Sequence, residues 1–141
     1  MLTIQERYEG LQTLFGTMKD EACHFLVLCS IADEYLLSHG YPAIDLINII
    51  RVSQKRKWIT DDFYVQNDGT PILSYLTGRK WTRKEVVKLP IIRDNDYTEA
   101  IWYNPRTTYH HYRRRYFDTL VNSKTVAEGR IEKYYIYTVE D

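Results

Sequence analysis

Two cysteines in 141 residues are too few for a disulfide framework. Cys23 and Cys29 stand six apart, about 600° of helical rotation, so on a helix they point to different faces. Both read as reduced thiols of a reducing compartment. Long apolar runs are missing as well. The longest, Phe25 to Cys29, is far too short to span a bilayer, and "MLTIQERYEG" lacks the basic-then-apolar pattern of a secretory signal. The expected location is the cytoplasm. Net charge is absent: 19 basic and 19 acidic side chains cancel, which argues against a protein whose main task is coating nucleic acid. No repeat, low-complexity stretch or linker interrupts the chain, so residues 1–141 read as one domain, large enough to bury a core.

Aromatic residues are plentiful, with 13 Tyr, 3 Trp and 4 Phe. Rings at that density favour pleated, half-buried surfaces and point to substantial strand content. The zero net charge also conceals a gradient. Residues 1–50 carry 2 basic and 7 acidic groups, net −5, whereas residues 51–88 carry 9 basic and 4 acidic, net +5. The middle of the chain therefore presents a basic face, most simply a solvated one.

Apolar spacing predicts a first helix over residues 3–15, ended by Gly16. Asp20 is placed to cap a second helix from about Glu21 to Ser38, apolar nearly all round and so central. Pro42 suits the first turn of a third helix ending in the basic "QKRK", and "PILSYLTG" reads as a short helix opened by Pro71 and closed by Gly78. Strand-like segments follow: "KWTRKEVVKL", "YTEAIWYN", "TTYHHYRRRYF" and "RIEKYYIYTV". Turn-rich pieces, among them "NSKTVAEG", separate them. Helices first and strands second make an α+β domain, N-terminal helices packed on a C-terminal antiparallel sheet.

Within this layout the sharpest chemical pair is Cys23, at a helix start, and a histidine of "YHHY" in the strand half. A thiolate nucleophile is favoured by the partial positive charge of a helix N-terminus, and an imidazole opposite can take the proton. The carboxylates of Asp20 and Glu21 work against the thiolate, and a buried structural cysteine is the plainer reading.

"CHFLVLCSIADEY" with "KWITDDFYVQNDGTPILSYLTGRKW", and then "YHHYRRRYFDTLVNSKTVAEGRIEKYYIY", resembles the papain-like cysteine peptidases. The likeness is to small bacterial and phage proteins related to the bacteriocin-processing, double-glycine leader peptidases, one group of which is known only as a domain of unknown function. It covers about residues 15–137. Its most specific stretch is the pattern Ser-x-Thr-Val-x-x-Gly-x-Ile, here Ser123, Thr125, Val126, Gly129 and Ile131.

The resemblance implies a papain-like fold and a cysteine peptidase-like hydrolase with no metal or organic cofactor. Cys23 takes the nucleophile position and Asp118 that of the acid orienting the base. His111, followed by Tyr112, takes the base position, with His110 as the alternative, because adjacent strand residues face opposite sides. Three positions depart from the pattern: Thr17 stands where a glutamine oxyanion donor is usual, Thr119 replaces a proline, and His24 follows the nucleophile where a small residue is usual. Losing one oxyanion donor typically costs about 100- to 1000-fold in turnover. The hydrolase so implied extends to a weakly active or inactive one, and the second reading is a non-catalytic protein of the same fold that binds a host or phage protein.

Other constellations say less. His24, Cys29 and His39 match no compact zinc-finger spacing, and neighbouring helix residues such as Cys23 and His24 cannot both face one metal. Arg113, Arg114 and Arg115 among Tyr109, Tyr112 and Tyr116 give a third reading, a basic and aromatic nucleic-acid surface, though strand alternation aligns at most two of the arginines. Gly78-Arg79-Lys80 lacks the earlier glycine of a phosphate-binding loop.

Overall fold

A computed structural model describes residues 2–12 and 22–140. Gly16, Thr17, Asp20 and Glu21, with the expectations that rest on them, lie outside the described residues. The helices are α1 (Ile4–Tyr8), α2 (Cys23–Ser38), α3 (Leu46–Lys55), α4 (Thr70–Thr77) and α5 (Lys124–Glu128). The strands are β1 (Trp81–Val86), β2 (Asp96–Asn104), β3 (Tyr109–Arg113) and β4 (Arg130–Val139). The architecture is α+β, and the four strands form one antiparallel sheet in the order β1-β4-β2-β3. Among the described residues no helix is long and apolar enough to cross a membrane.

Helix α1 begins at a reciprocal capping box: the Glu6 amide donates to Thr3 Oγ1 at 3.1 Å and the Thr3 amide to Glu6 Oε1 at 2.9 Å. It is shorter than the spacing predicts. At Gly10 the backbone takes φ +71, a conformation glycine adopts without a Cβ penalty. The amides of Gly10 and Gln12 then donate to the carbonyls of Asp118 and Thr119, at 2.9 and 2.8 Å.

Helix α2 is the centre of the core. Phe25, Leu26, Val27, Leu28, Cys29, Ile31 and Ala32 are fully buried. Each large apolar side chain so removed from water contributes about 1.5–3 kcal/mol. Tyr97, Ile101, Tyr135 and Tyr137 join it from the sheet, and Ile49, Ile72 and Leu73 from α3 and α4. The buried Asp33 on α2 ties three segments together: Oδ2 accepts from the Tyr8 hydroxyl at 2.5 Å and lies 3.4 Å from Arg7, and Oδ1 accepts from the Ile44 amide at 2.7 Å.

That last bond explains why the third helix starts at Leu46 and not at Pro42. The chain is held to Asp33 at Ile44, and Asp45 then caps α3 through the Asn48 amide at 3.1 Å.

The "NSKTVAEG" stretch, expected as a turn, contains α5. Ser123 Oγ caps it by accepting from the Val126 amide at 3.3 Å. Gly129 ends it where a Cβ would stand 2.3 Å from the backbone oxygens of both Thr125 and Tyr103. Glycine is therefore what lets the chain pass β2 closely enough to start β4.

Candidate active site

Cys23 is the first residue of α2, and the N-cap, Ala22, brings no side chain to the helix amides. The thiol thus stands at the positive end of the helix dipole. Strand β3 pairs with β2 through His111 opposite Trp102 and Tyr112 opposite Ile101. Alternation along β3 sends Tyr112 to one side, where it meets His24, and His111 to the other, where it meets Asp118.

His111 Nε2 lies 2.7 Å from Asp118 Oδ1. Burial pulls the imidazole pKa down, but hydrogen bonds to Asp118 and Cys23, with their negative charges, outweigh it and raise it from 6.5 to about 10. Nε2 faces Asp118, so Nδ1 is the nitrogen left for the sulfur. Cys23 and His111 keep only 3% and 2% of their surface exposed, so the pair is closed off from bulk water.

Asp118 is itself held in place. Its Oδ1 also accepts from the Leu120 amide at 3.0 Å, Arg113 lies 3.9 Å from Oδ2, and the Gly10 amide donates to its backbone carbonyl. Next to it, the Thr119 hydroxyl donates to Gln12 Oε1 at 3.0 Å. Gln12 is buried, and among the described residues its Nε2 has no partner.

The remaining sequence candidates lie elsewhere. His110 is exposed and 3.3 Å from Glu132 Oε2. The three arginines do not form a stripe. Arg114 is buried, donating to Thr98 O, Ser30 Oγ and Glu34 Oε1, each at 3.2 Å. Arg113 donates to the Arg114 carbonyl at 3.0 Å, and exposed Arg115 lies over the Tyr116 ring at 5.8 Å. Among the described residues no three His, Cys, Asp or Glu side chains gather as a metal ion requires.

Sequence reasoning missed the group beside the thiol. Glu99, fully buried on β2, receives His24 Nδ1 at 2.6 Å on Oε2 and the Tyr137 hydroxyl at 3.0 Å on Oε1. The His24 ring stacks on Tyr112 with centroids 4.4 Å apart. A signal for this was present: period-2 spacing in "YTEAIWY" puts Glu99 on the same face as Tyr97 and Ile101, where a carboxylate needs a partner.

Two cavities open away from the thiol. One of about 740 Å³ is lined by Lys84, Ile91, Arg93, Asp96 and Ile136, among others. Another of about 230 Å³ lies between α1 and the start of α3, at Leu2, Tyr8, Leu11 and Leu46.

Comparison of the chain with protein-family models, with curated proteins and with solved structures gave no match.

Proposed function

We propose that the chain is a cysteine-dependent amide hydrolase of papain-like organisation, acting on a peptide or protein. The observation that carries this reading is the line Cys23–His111–Asp118: a thiol at a helix N-terminus, an imidazole pushed up to about 10, and a carboxylate 2.7 Å from its far nitrogen. Such an imidazole stays protonated at neutral pH and favours the thiolate beside it.

In the reaction, Cys23 Sγ attacks the amide carbonyl carbon. The tetrahedral adduct collapses as His111 passes its Nδ1 proton to the leaving nitrogen; the C–N bond breaks and a thioester remains. Water then attacks the thioester, giving a proton to His111, and the C–S bond breaks to release the acid and restore the thiolate and imidazolium. Asp118 holds the ring and its charge throughout. The α2 amides are placed to favour the negative sulfur.

The near-complete burial of Cys23 and His111 favours a second reading, in which the fold binds a protein partner without turnover. An activity-based probe for cysteine peptidases separates the two. Covalent labelling at Cys23 that is lost in His111→Ala supports the hydrolase; a chain that stays unlabelled while folded leaves the binding protein.

A further inference from the structure

We infer that the stack of His24 on Tyr112, anchored by Glu99, is a positioning device that holds Cys23 against His111. The inference rests on the hydrolase reading above and adds to it three residues, His24, Tyr112 and Glu99, that act through Cys23 and His111.

The argument starts from chain connectivity. His24 follows the nucleophile on α2 and Tyr112 follows the base on β3, so consecutive Cα atoms lie about 3.8 Å apart in each pair. Fixing one ring on the other at 4.4 Å, with planes 28° apart, therefore fixes the gap between the first turn of α2 and β3. The contact does this without using the thiol or the base. Such a ring pair contributes about 0.5–1.5 kcal/mol beyond its buried area.

Glu99 sets the angle of the pair. Its two oxygens are held separately, one by His24 at 2.6 Å and one by the Tyr137 hydroxyl at 3.0 Å, so the carboxylate cannot turn without breaking a bond. Tyr137 belongs to β4, and Glu99 itself to β2. The first turn of α2 is thereby referenced to the middle of the sheet as well as to its β3 edge. Tyr112 also feels the thiol: its hydroxyl is raised by burial first, then by the charges of Glu99, Tyr135 and Cys23.

A purely structural role would change stability and leave the reactivity of Cys23 alone. The test is the pH profile of Cys23 alkylation by iodoacetamide, followed by peptide mass. It compares the wild-type chain with Tyr112→Phe, Tyr112→Leu, His24→Asn and His111→Ala, at a temperature where each is folded by circular dichroism. Tyr112→Phe keeps the ring and should keep the wild-type profile. Tyr112→Leu, and His24→Asn, which keeps a donor for Glu99 but no ring, should lose reactivity toward the level of His111→Ala. At neutral pH their alkylation should be about tenfold slower, the loss expected when the thiol is no longer held against its imidazolium.

A wild-type profile in Tyr112→Leu or His24→Asn overturns the inference, and either variant suffices if the other does not fold. If His111→Ala also alkylates like the wild type, the hydrolase reading falls with it. If His111→Ala alone differs, only the positioning role is lost.

Discussion

Asp118 Oδ1 accepts two donors at once, His111 Nε2 at 2.7 Å and the Leu120 amide at 3.0 Å. The backbone thus holds the carboxylate that holds the imidazole. His111 is raised from 6.5 to about 10 although burial alone would lower it, so the folded chain keeps a proton that the unfolded chain releases above pH 6.5. The associated stability is complete below about pH 6.5, declines between 6.5 and 10, and is gone above. Urea midpoints measured across that window should fall with pH, and in Asp118→Asn the fall should come at lower pH. A midpoint that is flat from pH 6.5 to 10 contradicts the arrangement.

The two thiols should behave differently. Cys29 is wholly buried in α2, where burial first and Asp33 second push its pKa well up. On the hydrolase reading, iodoacetamide at neutral pH should modify Cys23 despite its burial and leave Cys29 intact in the folded protein, whereas in urea both should react. Equal, slow labelling of the two in the folded state would remove the nucleophile.

Removing the buried carboxylate that serves two donors should cost more than removing one of those donors. Glu99→Ala leaves two donors, His24 and the Tyr137 hydroxyl, without their acceptor, at about 1–3 kcal/mol each. Tyr137→Phe removes a single hydrogen bond to a charged group, about 1.5–3 kcal/mol. Denaturant titration of the two variants should give that order, and the reverse order would mean that the pair is weakly coupled to the fold.

Gly129→Ala places a methyl group 2.3 Å from two backbone oxygens, neither of which is a flexible side-chain end. The expected loss is about 1–3 kcal/mol, the range for overpacking that forces backbone shifts. Thermal unfolding checks this, and an unchanged midpoint would show that the β2 to β4 passage is looser than described.

Much of this was legible in the residues, and the exceptions have physical reasons. All four strand segments were marked by aromatic, β-branched alternation, and α2 by its continuous apolar face. The start of α3 was not, because it depends on a bond from Ile44 to Asp33 eleven residues earlier in the chain. Helix α5 was hidden in polar turn residues that Ser123 caps. At the site, strand alternation left one of His110 and His111 to face the thiol but not which, since register against β2 decides it. The apparent arginine stripe dissolves for a similar reason: Arg114 is drawn inward by Ser30 and Glu34, 84 and 80 residues away in sequence.

Strand β4 lies between β1 and β2, and pairs with both. During synthesis the helices and the first three strands therefore leave the ribosome before β1 and β2 have the neighbour that joins them. Until residues 130–139 emerge, the nascent chain carries two unjoined sheet fragments and an α2 face still lacking Tyr135 and Tyr137. A stop before residue 130 would leave no sheet of four strands at all, and chaperone demand should peak just before β4 is made.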